Sequence, residues 1–426
     1  MKILVVGSGG REHALIWALT RDQPTATIFC SPGNAGTSEL ATTIPIAAEA
    51  IGELTSFAER EAIDLVIVGP EGPLALGLAD RLRSRGIIVF GPSAAAAQIE
   101  ASKAWAKDVM VTAGVPTAAS MTFSEMAGAG KYIDRHPEPL VVKASGLAAG
   151  KGAVVCATRA EAKAAARDML EDRIFGDAGQ VVVIESFLEG EEISLLALTN
   201  GTDIRILPAA QDHKRLLPGD RGPNTGGMGA YSPVSLETAN MLERARTRVL
   251  EPTLAEMARR GAPFSGVLYA GLMIDAGGNP SVVEFNCRFG DPETQVILPR
   301  VTGGLFGALH ACATGAPLPN LTVSSDAAVT TVLAARGYPD QPEKGARIDI
   351  PSNLPPGAIV FHAGTTRADD GTVRVNGGRV LAVTGVAPTF ERAQAVSRQA
   401  AEQIQFDGKQ YRPDIGWREA ARRPSR

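Results

Sequence analysis

The sequence predicts a mixed α/β protein with a parallel-sheet unit at its N-terminus and a β-rich region at its C-terminus. Near the start, an apolar strand over residues 2–6 leads through a glycine loop into an apolar-periodic helix over residues 14–19, the order of elements typical of parallel α/β sheets. From about residue 327, short strands alternate with hairpin-type turns such as Asn376-Gly377-Gly378. A chain of 426 residues is too long for a single core, so its length indicates roughly three domains.

The composition is that of a globular protein, with 45% hydrophobic and 21% charged residues. A net charge of −4 argues against a general nucleic-acid binder, because such proteins need an excess of Lys and Arg. No run of about 18 apolar residues occurs, so no membrane span is expected, and the N-terminus lacks a signal-peptide pattern. The four cysteines form no CxxC pair, so neither a disulfide framework nor a zinc site is indicated, and a cytoplasmic location fits best.

The first glycine loop, residues 7–10, places helix N-terminal amides where an anion could bind. The dinucleotide fingerprint is incomplete, because Glu12 stands at the third glycine position and the strand over residues 26–30 ends without a ribose-binding acid. A nicotinamide-dependent oxidoreductase is therefore the weaker alternative, and the phosphate of another substrate is favoured. Glu71 follows a buried strand over residues 63–68 and would line the same crevice, although a solvated turn explains it equally well.

The stretch VVKASGLAAGKG, residues 141–152, reads as a buried strand followed by a loop of small residues with two lysines, Lys143 and Lys151. Glycines allow backbone amides to approach phosphate closely, so the stretch predicts a lid over nucleotide phosphates. An alanine-rich surface loop is the alternative. The stretch is not a Walker A loop, because its spacing is one residue short and Gly152 replaces the Ser or Thr that binds Mg²⁺.

Two further loops have the composition of ligand-binding segments. Residues 185–194, ESFLEGEEIS, are expected to form a hinge whose backbone meets adenine while Glu192 meets ribose, unless they are simply an acidic turn. Residues 212–233 read as a strandless run with five glycines, which predicts a loop closing over an anionic substrate. His213 lies at its head, but a lone loop histidine is more often a hydrogen-bonding residue than a catalyst.

The strongest chemical signal is the predicted strand over residues 281–288. A period of two places Glu284, Asn286 and Arg288 on one face and directs the alternate residues to the core, namely Val283, Phe285 and Cys287. A carboxylate and an amide oxygen side by side are hard ligands suited to Mg²⁺ that also holds phosphates. The alternative is a half-exposed strand whose polar face lies in water.

Together these features resemble the nucleotide site of the ATP-grasp ligases. The features concerned are Lys103, Lys143, the loop over residues 146–152, the hinge and the Glu284-x-Asn286 strand. More narrowly, a set of strings running from residue 3 to residue 417 resembles the phosphoribosylamine–glycine ligase family: GSGGREHAL, SPGNAGT, GPEGPL, SKAWAKD, KASGLAAGKG, DHKR, GPNTGGMGAYSP, EFNCRFGDPETQ and DIGW.

The resemblance implies ATP-dependent ligation of glycine to 5-phosphoribosylamine, the second step of de novo purine biosynthesis. Glycine would first be activated as glycyl phosphate, and the amine would then displace phosphate. No enzyme nucleophile is needed, in agreement with the lack of a convincing Ser-His or Cys-His arrangement in the sequence. The resemblance also implies ATP as co-substrate, Mg²⁺ or Mn²⁺ as cofactor and small-molecule substrates. No nucleic-acid or membrane partner is expected, and the leading hypothesis is a monomeric or weakly associating enzyme.

The resemblance assigns roles residue by residue. Metal binding falls to Glu284 and Asn286, and catalysis to Arg288, Asp291 and Lys214. Substrate binding falls to Gly9, Gly10, Glu71, Asp212, Asn224 and Gly226. ATP binding falls to Lys103, Lys143, Gly150, Lys151, Gly152, Glu185, Phe187, Leu188 and Glu192.

The implied architecture is a Rossmann-like domain over residues 1–101, a two-lobed ATP-grasp domain over residues 102–322 and a β-rich domain over residues 323–426, with a lid at about residues 120–190. The sequence departs from the ATP-grasp pattern at one expected metal-binding position. Many ATP-grasp enzymes present another carboxylate from the preceding strand, where this chain has Gly271. Protein ligation of the metal is therefore expected to be sparse. A non-catalytic nucleotide sensor with the same fold is a third hypothesis.

Overall fold

The computed structural model describes residues 1–148 and 151–423, and it has the mixed α/β architecture that the sequence predicts. Its strands form seven sheets, of which the four larger ones position the candidate site. Among the described residues, no helix is both long enough and apolar enough to cross a membrane.

The N-terminal region is a five-stranded parallel sheet with strand order β3-β2-β1-β4-β5. The chain order changes direction between β1 and β4, so a crevice opens at their carboxyl ends. The elements are β1 (Lys2–Gly7), α1 (Gly10–Asp22), β2 (Thr27–Pro32), β3 (Thr42–Thr43), α2 (Ile51–Arg60), β4 (Leu65–Val68), α3 (Glu71–Ala75), α4 (Leu78–Arg83) and β5 (Val89–Phe90).

A separate four-stranded antiparallel sheet of order β6-β9-β7-β8, called the lid sheet below, lies in the region predicted to act as a lid, with its own small apolar core under two helices. Ser102 and Thr158 cap the helices α6 and α8 through their hydroxyl groups. The elements from this part of the chain are α5 (Ala94–Ala101), α6 (Lys103–Thr112), β6 (Ser120–Phe123), α7 (Met126–Arg135), β7 (Leu140–Ala144), β8 (Ala153–Cys156), α8 (Arg159–Leu170) and β9 (Val182–Ser186).

The central region contains a second antiparallel sheet of order β11-β10-β16-β17. Its long strands β10 and β16 are almost entirely buried, in keeping with their runs of Leu, Ile, Val and Ala. The elements are β10 (Glu191–Thr199), β11 (Ile204–Ile206), β12 (Gln211–Asp212), β13 (Arg215–Leu217), β14 (Arg221–Asn224), β15 (Gly229–Ser232), α9 (Ala239–Ala245), α10 (Glu251–Arg259), β16 (Gly266–Ile274), β17 (Pro280–Asn286), α11 (Thr294–Ile297), β18 (Val301–Gly303), α12 (Leu305–Thr314) and β19 (Thr322–Val323).

The expectation that residues 212–233 are strandless is wrong. Strands β13 and β14 form a hairpin in which Arg215 pairs with Asn224, and β15 pairs with β12. Several of these glycines occupy backbone conformations that other residues rarely adopt, since Gly222 and Gly227 have φ values of +80° and +109°. Glycines that sequence reasoning attributed to mobility therefore make turns and close strand contacts.

The C-terminal region is β-rich as predicted. Its strand β20 pairs with β24 along its whole length, and α13 packs so closely on this sheet that a Cβ atom at Gly385 would lie 2.2 Å from the carbonyl oxygen of Ala393. The elements are β20 (Ala327–Ala334), β21 (Ala358–His362), β22 (Thr365–Arg367), β23 (Val373–Val375), β24 (Arg379–Ala387), α13 (Phe390–Gln403) and α14 (Trp417–Arg422).

One sheet joins the central and C-terminal regions. Its order is β12-β15-β20-β24-β21, so two strands that precede residue 322 pair into the sheet of the C-terminal strands. The aromatic rings of Tyr231 on β15 and Phe390 on α13 meet edge to face, with centroids 5.3 Å apart. The central and C-terminal regions therefore share backbone hydrogen bonds and a core.

Candidate active site

A cavity of about 470 Å³ lies where the lid sheet, the central sheet and the N-terminal crevice meet. Helix α6, strand β7, the hinge after β9 and strand β17 supply most of its wall. It brings together most of the residues singled out from the sequence: Glu71, Lys103, Lys143, Gly152, Glu185, Phe187, Leu188, Glu192, Asp212, Lys214, Asn224, Gly226, Glu284, Asn286, Arg288 and Asp291. Residues more than 200 positions apart in the sequence therefore line the same cavity.

The carboxylate of Glu185 lies between two buried lysines. Lys143 Nζ is 2.9 Å from its Oε2 atom, and Lys107 Nζ is 3.2 Å from Oε1 without hydrogen-bond geometry, so Oε1 is a buried acceptor with no hydrogen bond among the described residues. Lys107 also donates to the hydroxyl of Thr117 at 2.7 Å, and Lys143 donates to the carbonyl oxygen of Val283 at 2.9 Å. This network joins helix α6 and strands β7, β9 and β17 behind the cavity.

Sequence reasoning missed Lys107. Burial lowers its pKa to about 8, although the carboxylate of Glu185 opposes this shift. A signal was available, because Lys107 lies four residues after Lys103 on α6 and so shares its helix face. Lys103 Nζ in turn donates to the carbonyl oxygen of Gly146 at 3.3 Å, which ties α6 to the start of the lid loop.

Strand β17 presents Glu284 and Asn286 to the cavity, as the period of two predicts. Cys287 is buried in the core, and Phe285 is buried there as well, although it also touches the cavity wall. The prediction for Val283 is wrong, since it lines the cavity. Its position results from a β-bulge: Gly271 pairs with Glu284, and the next residue of β16 pairs with Val282. The unpaired Val283 shifts the alternation by one residue.

Strand β17 offers a metal two side-chain donors, the Glu284 carboxylate and the Asn286 amide oxygen. In the described part of the chain, no group of three or more His, Cys, Asp or Glu side chains could hold a metal ion. Burial raises the pKa of Glu284, but Lys214, Lys143 and Lys103 outweigh burial and lower it, so the group is a carboxylate. Together with the amide oxygen of Asn286, it suits a hard cation whose other ligands are phosphate and water.

Arg288 is held by two carboxylates. Its guanidinium lies 3.2 Å from Glu71 and 2.8 Å from Glu100, and it donates to the Asn286 side-chain oxygen at 3.2 Å. Burial lowers the pKa of Arg288, but these acids raise it more strongly, so the cation persists. Glu71 is therefore in the crevice, as expected, rather than in a solvated turn. Glu100 was missed because it lies on α5, within an alanine-rich helix.

Lys214 occupies an acidic corner of the cavity. Its ammonium group donates to Glu192, and Asp212 lies beside it. Burial lowers the pKa of Lys214, but Glu192 and Asp212 reverse the shift, so the lysine is charged. Glu293 closes this corner, accepting hydrogen bonds from the hydroxyl of Tyr269 at 2.9 Å and from that of Ser194 at 3.1 Å.

Of the residues considered in the sequence analysis, Gly9, Gly10, Lys151 and His213 do not line this cavity, and one more, Gly150, is not described by the structure. Gly10 is buried, and a Cβ atom there would lie 2.6 Å from Gln295 Nε2, so its role is close packing of α1. Lys151 points away from the cavity and donates to the carbonyl oxygen of Pro339 at 2.8 Å. Gly150 lies outside the described residues. His213 is buried and accepts from the backbone N–H of Gly416 at 2.9 Å, a structural role.

The first glycine loop is filled by a protein carboxylate. Glu12 Oε2 accepts from the N–H of Gly9 at 2.6 Å, and Arg11 pairs with the same side chain. Cβ atoms at Gly7 or Gly69 would clash with Glu12, with closest approaches of 2.6 and 2.0 Å. The acid at the third fingerprint position therefore occupies the space between β1 and β4 that a dinucleotide pyrophosphate would need.

A second cavity of about 300 Å³ adjoins the first, and both are lined by Asp291 and Arg379. Its other walls come from the two ends of the chain, with Ser8, Gly9 and Asn34 on one side and residues 363–365 and 376–378 on the other. The residues of the C-terminal region predicted no chemistry, although the family resemblance places this region along the substrate cleft, and sequence reasoning missed Arg379. The turn Asn376-Gly377-Gly378 just before it was read only as a hairpin signal.

Comparisons with known proteins agree over the whole chain. Family models described as phosphoribosylglycinamide synthetase match as the N domain over residues 1–100, the ATP-grasp (A) domain over residues 101–294 and the C domain over residues 328–418. The chain is 48% identical to the phosphoribosylamine–glycine ligase of Ralstonia nicotianae, covering 98% of this chain and 99% of the relative. It is 46% identical to that of Salmonella typhimurium, covering 98% of each.

The comparison with solved structures agrees with the family models. The crystal structure of the phosphoribosylamine–glycine ligase from Thermotoga maritima matches with a TM-score of 0.86 at 35% identity, covering 97% of this chain and all of that one. A biotin carboxylase from Campylobacter jejuni matches at 15% identity with a TM-score of 0.75, over 96% of this chain and 92% of the other, which shows a shared fold alone. The chain belongs to the phosphoribosylglycinamide synthetase family.

Proposed function

We propose that this chain ligates glycine to 5-phosphoribosylamine at the expense of ATP, giving glycinamide ribonucleotide, ADP and phosphate. The reaction is the second step of de novo purine biosynthesis, and we propose that it proceeds through glycyl phosphate. The observation that carries this proposal is one cavity holding two lysines for phosphate, a carboxylate and amide for metal, and an arginine held by two acids. Phosphoryl transfer of this kind needs positioning and charge compensation rather than an enzyme nucleophile.

ATP would lie between the lid sheet and β17. The backbone from Glu185 to Leu188 would meet adenine, and Glu192 would accept from the ribose. Lys103 and Lys143 would contact the phosphates, with Gly152 on the lid side. The contact of Lys151 with Pro339 argues against a phosphate role for Lys151 in this state of the lid.

Glu284 and Asn286 would hold Mg²⁺ or Mn²⁺, which when bound would neutralise phosphate charge. Arg288 and Lys214 would orient the glycine carboxylate, whose oxygen forms a bond to the γ-phosphorus as ADP leaves. The amine of phosphoribosylamine then attacks the acyl carbon, and phosphate leaves. Burial raises the pKa of Asp291, but Arg379 and Arg11 lower it below its usual value, so Asp291 can accept a hydrogen bond from the attacking amine. Asp212, Asn224 and Gly226 would complete the substrate wall.

We further propose a cytoplasmic monomer with domains over residues 1–101, 102–322 and 323–426. The family membership favours the location, because purine synthesis uses soluble substrates. The monomer assignment is tested by sedimentation at the enzyme concentration used for kinetics. A concentration-independent mass of about 44.4 kDa is expected.

The deciding experiment is ADP release measured with each substrate omitted in turn. Release that requires ATP, glycine and phosphoribosylamine together supports the ligase. ATP binding without substrate-dependent turnover would favour a nucleotide sensor. A change in NADH fluorescence on adding the protein would favour the oxidoreductase alternative, against which the Glu12-filled loop already argues.

A further inference from the structure

The last described segment of the chain, residues 411–423, forms what we call the C-terminal strap. It contains the DIGW string, residues 414–417, and ends in α14. All of its residues are described, and it lines neither of the two cavities. Two of its charged side chains, Arg412 and Glu419, are nevertheless completely buried. Buried charges are costly unless they are paired, so the partners of these side chains indicate what the strap holds.

Arg412 fastens the hairpin of β13 and β14. Its guanidinium donates to the carbonyl oxygen of Arg215 at 3.0 Å and to the carboxylate of Asp220 at 2.9 Å. It also forms a bidentate pair with Asp414 at 2.9 and 2.8 Å, and Asp414 accepts from the backbone N–H of Gly219 at 2.9 Å. Burial lowers the pKa of Arg412, but Asp414 and Asp220 raise it more strongly, so the guanidinium stays charged.

The turn of this hairpin depends on Asp220. Its φ is +53°, a left-handed conformation that residues other than glycine adopt at a cost and keep only where their surroundings fix it. Arg418 of the strap supplies a further contact, at 2.6 Å to the second carboxylate oxygen of Asp220. Lys214 directly precedes β13 and Asn224 is the last residue of β14, and both line the active-site cavity. The strap therefore fixes a hairpin whose two ends are part of the site.

Arg422 fastens the start of strand β10. It donates to the carboxylate of Glu191, the first residue of that strand and the neighbour of Glu192. Glu191 raises the pKa of Arg422, so this guanidinium also stays charged. Glu419 anchors the same helix by accepting from the hydroxyl of Ser235 and, at 3.0 Å, from its backbone N–H. The strap therefore holds β10 as well as the hairpin.

Lys214 and Glu192 form an ion pair in the cavity wall. The strap binds the residue next to each of them, on the hairpin in one case and on β10 in the other. We propose that the C-terminal strap positions this ion pair, with Arg412 as the positioning residue for the hairpin and Arg422 as the positioning residue for β10. This inference rests on the proposed function, in which Lys214 orients glycine and Glu192 meets the ribose of ATP.

Removal of each arginine should affect a different substrate. Arg412→Met should raise the KM for glycine about fivefold or more and change the KM for ATP little, because Lys214 loses its fixed hairpin. Arg422→Met should raise the KM for ATP by a similar factor and leave that for glycine near the wild-type value. Arg412→Lys should recover part of the loss. A merely structural role would lower the melting temperature without this division between substrates.

An ATP analogue separates positioning of Glu192 from general damage to the nucleotide site. 2′,3′-Dideoxy-ATP lacks the ribose hydroxyls from which Glu192 would accept. Its dissociation constant, measured by calorimetry, should be the same in the wild type and in Arg422→Met, whereas that of ATP should be higher in the variant. This measurement needs no turnover, so it tests the strap independently of the ligase assay.

Because Arg412→Met could impair folding, Asp220→Asn provides a second variant at a partly exposed position. Asparagine tolerates a positive φ, so this change removes the charge that the strap holds and keeps the turn. It should also raise the KM for glycine. The control is Arg423→Met, which removes a strap arginine that pairs with Glu419 and, among the described residues, forms no hydrogen bond or ion pair with the hairpin or β10.

The control should have the KM values of the wild type. Unchanged KM values in Arg412→Met, Asp220→Asn and Arg422→Met overturn the positioning role, and so does an equal rise in Arg423→Met. A wild-type protein that shows no glycine-dependent turnover overturns the proposed function instead, and the ATP affinities of the wild type and Arg422→Met then still decide the role of the strap.

Discussion

Glu284 is the residue on which the proposed metal role depends most directly. Three lysines lower its pKa, so it is ionised at neutral pH. Glu284→Gln keeps the shape and removes the charge, and we expect turnover to fall about 100-fold or more because phosphate charge is no longer offset. Steady-state kinetics over a range of Mg²⁺ concentrations measures this.

The control for Glu284→Gln is Glu251→Gln, which removes a carboxylate paired with Arg246 on the surface. It should retain wild-type turnover and metal dependence. Both variants should keep the far-UV circular dichroism spectrum of the wild type. Wild-type turnover in Glu284→Gln would contradict the metal assignment.

Lys107 is predicted to act through Glu185 rather than by touching ATP. Lys107→Met leaves the Glu185 carboxylate with Lys143 as its remaining cationic partner within 4 Å among the described residues. Lys143 should then be drawn away from phosphate, so the KM for ATP should rise about tenfold while the KM for glycine changes little. Lys107→Arg should restore part of the affinity.

The matched control is Lys163→Met, which removes a lysine paired with Asp134 on the lid surface. Its kinetics should be those of the wild type. A purely structural role for Lys107 would lower the melting temperature of Lys107→Met and leave the KM for ATP unchanged, and that outcome would refute the positioning role.

At the scale of elements, a histidine pair joins α1 to β21. His13 Nδ1 accepts from the backbone N–H of His362 at 2.8 Å, and both rings are buried. Burial lowers the pKa of His13 to about 3, with His362 adding to the shift. Burial likewise lowers that of His362 to about 4, with Glu39 opposing the shift and Arg367 adding to it.

Because these pKa values are lowered in the folded state, the neutral rings stabilise the contact above about pH 6.5. As the pH falls from 6.5 toward 4, the unfolded chain binds protons that the folded chain does not. Stability should then fall by up to about 1.4 kcal/mol per pH unit for each histidine. The test is His13→Asn, which offers an acceptor that does not titrate.

The melting temperature of His13→Asn should fall less between pH 6.5 and 4 than that of the wild type. The control is His310→Asn, which should show the pH dependence of the wild type. If His13→Asn also loses stability as steeply as the wild type, the buried histidines are not the origin of the pH dependence.

Closure of the loop over residues 146–152 upon nucleotide binding remains a prediction, and the contacts of this loop suggest a test. The backbone N–H of Ala144 donates to the carbonyl oxygen of Gly152 at 2.7 Å, and Lys151 reaches Pro339 in the C-terminal region. If the loop closes over bound nucleotide, ATP should slow limited proteolysis within residues 146–152 relative to the same protein without ATP. Equal cleavage rates would count against a lid.

At the scale of the whole molecule, local patterns predicted the elements well and the long-range pairings less well. The strand–loop–helix at the N-terminus, the short C-terminal strands and the Glu284-x-Asn286 strand each carry their signal within a few residues. Glu100, Lys107 and Arg379 escaped notice because their partners lie far away in sequence, at Arg288, Glu185 and Asp291. The period of two along a strand cannot predict a β-bulge, so the sequence assigned Val283 to the wrong face of β17.

The shared five-stranded sheet predicts that the central and C-terminal regions unfold together. A chain truncated after residue 322 would lose the strand that pairs with residues 229–232, and Tyr231 would lose its contact with Phe390. An unpaired edge strand and an exposed core face favour aggregation. We therefore expect the fragment of residues 1–322 to be insoluble or to lack a cooperative thermal transition, as measured by calorimetry. Co-expression with residues 323–426 should restore solubility, whereas a soluble fragment that melts cooperatively on its own would show that the two regions fold independently.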